Sequence, residues 1–158
     1  MCSSDLPGLI SYVAPPGGGT TDYAVEIFYQ ALQHRQYTCF LGADTRLDMM
    51  YMPDAVGAMI ALMEAQAARL RYRNAYNVTA MSITPAELAA EIRKHIPEFD
   101  IDYQVDPMRQ SIADSWPRSL ANDAARVDWG FAPRFDLAAM TTDMLARVRE
   151  KMRARKAG

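Results

Sequence analysis

The stretch that most limits what this chain can fold into is Pro7-Gly8-Leu9-Ile10-Ser11-Tyr12, followed after a short loop by Gly17-Gly18-Gly19-Thr20-Thr21-Asp22-Tyr23-Ala24. The first part is a short apolar run with β-branched content, which predicts a buried strand. The glycines then let the backbone bend sharply and approach a ligand closely. Thr20, Thr21 and Asp22 bring two hydroxyls and a carboxylate to the start of the next helix. In an open α/β sheet, ligands bind outside the carboxyl ends of the strands, and this turn is expected to lie there. The plain alternative is a loop with an ordinary helix cap. The turn is not a phosphate-binding fingerprint, because neither G-x-G-x-x-G nor GK[ST] occurs in the chain.

With 158 residues, half of them hydrophobic, the chain is long enough for one domain with a real core. A net charge of −2 argues against nucleic acid as the main partner. No apolar run reaches the length of a membrane span, and no charged-then-apolar leader resembles a signal peptide. Cys2 and Cys39 show no metal-ligand spacing, so free thiols and a cytoplasmic protein are expected. With only His34 and His95 as imidazoles, no metal site is expected.

Residues 1–6 are polar and fit no pattern. They are expected to be a non-native or disordered leader, and Cys-Ser-Ser-Asp-Leu is a translation that sequencing-adapter DNA can give. From there, strands are predicted over residues 8–13, 37–41, 46–52, 75–79 and 99–105. Helices are predicted over 22–33, 53–65, 85–96 and 122–128, with a last long helix capped by Asp136. In the helix from residue 53, Asp54 is the expected cap, and Val56, Met59, Ile60 and Met63 the buried face. Thr84-Pro85-Ala86-Glu87 is the clearest local signal, a capping box with proline at the first helical position. Ile83 and Leu88 are placed for a hydrophobic staple. Residues 106–117 read as irregular. The basic end of the last helix reads as solvated charge opposing the helix macrodipole, or as an anion-binding patch.

Strands and helices alternate, so the class is α/β. The first strand is apolar enough to be central, yet few strands accompany it. An apolar face and a strand edge around Leu9, Ile10 and Tyr12 are therefore expected to be exposed.

Four segments carry a resemblance. They are Pro7-Gly8-Leu9-Ile10-Ser11, the Gly17–Ala24 turn, Thr45-Arg46-Leu47 with Met49-Met50-Tyr51-Met52-Pro53-Asp54, and Ser111-Ile112-Ala113-Asp114-Ser115-Trp116-Pro117. Together they resemble the C-terminal half of the extended short-chain dehydrogenases (the NAD-dependent epimerase/dehydratase family). Within that family they resemble the NAD-dependent L-threonine 3-dehydrogenases. Tyr76-Asn77-Val78 and Asp123-Ala124-Ala125-Arg126 with Trp129-Gly130 are shared more widely in the family.

The resemblance implies late strands of a Rossmann-type sheet plus a small α/β substrate domain over residues 7–158. It implies that the NAD-binding half lies outside this sequence. The parent would be a homodimer oxidising threonine to 2-amino-3-ketobutyrate. The family's Tyr-x-x-x-Lys is missing: none of the eight tyrosines has a lysine four residues later. No catalytic residue is therefore assigned. The expected part is a threonine-binding fragment, inactive alone, with weak or no NAD binding.

Gly19, Thr20, Thr21, Asp22, Met50 and Trp116 are the candidate substrate contacts. Threonine needs donors for its carboxylate and an anion for its ammonium. Thr20 and Thr21 suit the first. Asp22 suits the second, or serves only the helix start. Trp116 would wall the site, Met50 and Tyr51 would line it or belong to the core, and Leu9 and Ile10 would border the nicotinamide. Arg46 and Arg109 read as structural ion pairs ahead of carboxylate ligands. The alternatives are a fragment of a nucleotide-sugar epimerase or dehydratase, which would need a larger site, and a non-catalytic small-molecule binding module.

Overall fold

A computed structural model describes residues 3–72 and 74–157. Its strands are β1 (Ser3–Asp5), β2 (Gly8–Ile10), β3 (Gln36–Cys39), β4 (Leu47–Tyr51), β5 (Ala75–Asn77), β6 (Met81–Ile83) and β7 (Asp100–Tyr103). Its helices are α1 (Tyr23–Gln33), α2 (Met52–Glu64), α3 (Pro85–Arg93), α4 (Pro107–Ser115), α5 (Asp123–Trp129) and α6 (Leu137–Ala157). The alternating pattern gives the mixed α/β class that the sequence predicts.

Among the described residues the strands form three small sheets. β1 pairs in parallel with β5, and β3 in parallel with β7. The third sheet has the order β2-β4-β6, with β2 parallel and β6 antiparallel to β4. Ser3–Asp5, within the stretch expected to be a leader, lies in a strand opposite Ala75–Asn77. Strand pairing is made by backbone groups and needs no side-chain pattern, so the sequence carries no sign of it. Met1 and Cys2 lie outside the described residues.

β4 is buried at every position. Successive strand residues point to opposite faces, and the cores follow that rule. Leu47, Met49 and Tyr51 enter a larger cluster with Ile10, Phe28, Leu88, Met140 and Val148. Met50 enters a smaller one with Ala55, Ala58, Leu62, Tyr76 and Phe131. The α6 face predicted from periodicity is present: Met140, Met144 and Val148 are fully buried, and Leu137 and Met152 flank them. Cys39 is a free thiol in the larger cluster. Burial pushes it up to about 11, so it stays protonated and unreactive at neutral pH.

The α3 start is as predicted. Thr84 Oγ1 accepts from Glu87 N at 3.1 Å, and Glu87 Oε2 accepts from Thr84 N at 2.9 Å. The stretch read as irregular contains α4. Asp106 Oδ1 accepts from Met108 N and Arg109 N at 2.9 and 3.1 Å, with Pro107 at the first helical position.

α2 departs from expectation in two ways. Its buried residues are Asp54, Ala55, Ala58 and Leu62, while Val56, Met59, Ile60 and Met63 face outward. The helix is apolar around most of its circumference, so periodicity alone does not select a side, and the side with two alanines packs against the sheet. Asp54 does not cap the helix. Its carboxylate accepts from Arg134 N and Phe135 N, both at 3.0 Å, and fixes the loop before α6. The apolar surface expected around Leu9, Ile10 and Tyr12 is largely covered, since Ile10 is buried and the other two are half-buried.

Asp128 is nearly enclosed and accepts from Tyr76 Oη at 2.6 Å, Arg71 Nε at 2.7 Å and Arg71 N at 3.2 Å. The Tyr76 hydroxyl, with Arg71, holds its carboxyl below the usual carboxylate range. A folded-state value below the unfolded one of about 3.9 contributes stability that is present above that pH. The contribution disappears as pH falls through the folded value. Glu87, held low by Arg46, acts in the same direction, whereas burial raises Asp48 and opposes them. The wild-type chain is expected to lose stability below about pH 4. Asp128→Asn should be less stable at pH 7 and show a shallower acid limb, measured by urea denaturation at a series of pH values.

Candidate functional site

The start of β2 with the two residues before it, Thr21 of the turn, Asp48 of β4, Asn77 of β5 and the segment after α4 line a cleft of about 540 Å³. Leu9, Thr21, Asp48, Asn77, Trp116 and Leu120 are among the lining residues.

The turn is built around Asp22. Its Oδ2 accepts from the backbone N–H groups of Gly17, Gly18 and Gly19 at 2.7, 2.7 and 2.8 Å. Three convergent amides form an anion-binding concavity, and here the chain's own carboxylate fills it. Gly18 has φ 96°, a left-handed conformation that suits glycine. Residues Thr20–Asp22 form one 3-10 turn leading into α1. That turn seats Thr21 on Gly8. A Cβ at Gly8 would lie 2.7 Å from Thr21 Cγ2 and 2.5 Å from Met49 Sδ, so only glycine permits this approach.

The segment that carries Trp116 and Leu120 is tied down by hydrogen bonds. Asp48, buried on β4, accepts from Leu120 N. Burial raises its carboxyl above the usual range, against the lowering effect of that amide. Ser82 Oγ donates to Arg118 O at 2.6 Å, and Asn122 Nδ2 to Thr79 O at 3.0 Å. Gln110 of α4 accepts from Gly42 N at 2.9 Å and donates to Asp114 at 2.7 Å. Trp116 follows α4 directly. It lies between the cleft and a polar recess of about 460 Å³ lined by Asp44, Thr45, Arg46, Asp114 and Arg118.

The loop entering the glycine turn is held from α6. Lys151 Nζ donates to Tyr12 O and Val13 O at 2.9 and 2.6 Å, and Tyr51 Oη donates to Asp143 Oδ2 at 2.7 Å. One charge of the basic helix end thus has a structural role.

Of the residues singled out from sequence, Leu9, Thr21 and Trp116 line the cleft together. Gly19, Thr20 and Asp22 shape the turn and are not on the lining. Met50 is fully buried in the smaller core and Ile10 in the larger. Arg46 is a structural pair, with Nη2 2.6 Å from Glu87 Oε1 and Nη1 donating to Ser82 O. Arg109 lies over the Phe40 ring, 4.1 Å from its centroid, where an ion pair was expected. Sequence reasoning missed Asp48, Asn77 and Leu120. Asp48 carried a signal: it is an acidic residue inside an otherwise apolar strand, and a buried carboxylate needs a partner. Among the described residues no group of three or more His, Cys, Asp or Glu could hold a metal ion, and no helix is long and apolar enough to cross a membrane.

No family model matches the chain. It is 54% identical over 146 residues to an uncharacterized epimerase/dehydratase of Staphylococcus haemolyticus, covering 92% of this chain and 46% of that protein. In structure it is similar to L-threonine dehydrogenase from Clostridium difficile, with a TM-score of 0.92 and 55% identity, covering 94% of this chain and 46% of the other. L-threonine dehydrogenase from Phytophthora infestans gives a TM-score of 0.91 and 51% identity, with 94% and 48% coverage. The chain spans about half the length of the relatives it matches. It belongs to the epimerase/dehydratase family and corresponds to the C-terminal half of such an enzyme.

Gly8→Ala tests the packing that seats Thr21. The added methyl must displace Thr21 or Met49, and overpacking of this kind costs about 1–3 kcal/mol. The expected result is a lower urea midpoint with an unchanged slope.

Proposed function

We propose that the cleft binds L-threonine and that the chain is the substrate-binding half of an NAD-dependent L-threonine dehydrogenase. The observation that carries this reading is the placement of Thr21 over Gly8, on the lining of the same cleft as Trp116. The relatives named L-threonine dehydrogenase, at 51% and 55% identity, support it.

The described residues suit the amino acid better than the dinucleotide. The amides of Gly17, Gly18 and Gly19 already end on Asp22, so this turn offers no free cradle for a pyrophosphate. Ile10 is buried, which leaves Leu9 as the one residue of the expected nicotinamide pair that reaches the cleft. No step through NAD is assigned to this chain, and none of its tyrosines has the lysine that would make it a proton-transfer base. Its part is to bind, orient and exclude water.

Thr21 Oγ1 is the donor for the substrate carboxylate. Asp48 takes the role expected of Asp22 and faces the ammonium, because Asp22 is committed to the turn. An arriving ammonium also offsets the cost of keeping the Asp48 carboxylate buried and ionised. Trp116 closes the cleft over the bound amino acid.

A chimera tests this, with the first half of the Clostridium difficile enzyme fused ahead of the whole chain. Thr21→Ala should raise KM for threonine by about tenfold to a hundredfold, the loss of one hydrogen bond to a charged group. Asp48→Asn keeps an acceptor for Leu120 N and removes the charge, and should raise KM similarly. Trp116→Ala should lower kcat/KM. The chain alone should not reduce NAD at any pH. Wild-type kinetics in all three variants, or turnover by the chain alone, would refute the assignment.

A further inference from the structure

Trp116 directly follows α4, and α4 lies beside the Thr20–Asp22 turn. The inward side of this helix and its cap consists of Asp106, Arg109, Gln110 and Ala113, at the spacing of one helical face. Ala113 is the single apolar residue among them. The large apolar residues Met108 and Ile112 point outward, 75% and 41% exposed. Burial of an apolar stripe usually fixes how a helix is turned, and here polar contacts have to do it. Asp106 caps its own helix, and Arg109 lies over the Phe40 ring. The remaining inward side chain is Gln110.

Gln110 Oε1 accepts from Gly42 N at 2.9 Å, and Gln110 Nε2 donates to Asp114 Oδ1 at 2.7 Å. The Thr45 hydroxyl is within reach of both amide atoms, 3.1 Å from Oε1 and 3.0 Å from Nε2. Gly42 and Thr45 are the two ends of one turn, closed by Thr45 N donating to Gly42 O at 3.0 Å. Among the described residues, Gln110 is the one side chain of α4 that hydrogen-bonds outside its own helix. Trp116 N donates to Ala113 O at 3.2 Å, so its backbone continues from the last turn of α4. The indole is 41% exposed, and its place therefore follows that of the helix that carries it. We infer that Gln110 is a positioning residue, which holds the Trp116 indole at the cleft by fastening α4 to the Gly42–Thr45 turn. This role rests on the proposed function only in that the cleft is taken as the threonine site.

Fluorine NMR of the chain labelled with 5-fluorotryptophan reads the indole directly and needs no substrate. Trp116 and Trp129 are the two tryptophans, and Trp129→Phe assigns their resonances. Gln110→Met keeps the length of the side chain and removes its hydrogen bonds. It should shift or split the Trp116 resonance and leave that of Trp129 in place. The exchange of Gln110→Glu with Asp114→Asn keeps the net charge and the contacts, with donor and acceptor of the pair interchanged. It should return the Trp116 resonance to its wild-type position. Thr45→Val removes the hydroxyl alone and should move the same resonance in the same direction, so it decides the matter if Gln110→Met does not fold. A Trp116 resonance that stays in place in these variants, or that the exchange does not bring back, would overturn the inference.

Kinetics of the chimera described above give a second reading. Gln110→Met should lower kcat/KM for threonine by about tenfold to a hundredfold, the scale of loss that a displacement of about 1 Å produces. In the Trp116→Ala background the same substitution should cost less than about twofold, because two residues acting through one contact are not additive. Equal losses in both backgrounds would mean that Gln110 acts otherwise than through Trp116, and would overturn the inference. A chimera that shows no threonine turnover, while the Trp116 resonance responds as expected, would sink the substrate assignment alone.

Discussion

Backbone amides of four loops end on aspartate carboxylates, and the rest of the structure depends on those contacts. Asp22 collects the amides of Gly17, Gly18 and Gly19, Asp48 takes Leu120, Asp54 takes Arg134 and Phe135, and Asp128 takes Arg71. Hydrogen bonds to charged groups are worth about 1.5–3 kcal/mol each, and a loop amide left buried without an acceptor is costly. The described strands are short, with β4 the longest at five residues. Sheet hydrogen bonding alone therefore leaves much of the backbone to be satisfied by side chains.

β4 translates those ties into a site. Its alternation sends Leu47, Met49 and Tyr51 into one core and Met50 into the other. Asp48 stands at an intervening position on the Met50 side. A carboxylate in that setting is tolerated only with a partner, and the partner it finds belongs to the segment carrying Trp116. The same residue that solves a burial problem thus anchors the segment carrying Trp116 beside the cleft. At Gly8 the absence of one carbon decides how close Thr21 comes.

The parts legible in sequence were those whose signal is local. The Thr84–Glu87 capping box is complete within four residues, and the α6 stripe repeats over several turns. α4 was also locally marked, since Asp106-Pro107 has the same form as Thr84-Pro85, but it lacks the glutamate at the fourth position and a strong apolar stripe. The burial of α2 was not legible. Its residues are apolar on both sides, and the choice depends on which side fits the sheet. Thr21 and Trp116 stand out as polar-turn and aromatic-loop residues, whereas Asp48 and Asn77 join the cleft only through strand pairings far apart in the chain. Met50 was ambiguous because a methionine suits a core and a binding wall equally.

The Lys151 contacts join residues 139 and 138 positions apart. A ribosome makes the chain from the other end, so the glycine turn near the beginning is synthesised long before the helix that steadies its approach. Contacts of such separation form late, because the entropy of closing the intervening loop must be met first. The Asp22 contacts span three to five residues and can close at once. The turn is therefore shaped early by its own carboxylate and held in place late by the last helix, which makes the far end of α6 a determinant of when, during synthesis, the cleft comes into being.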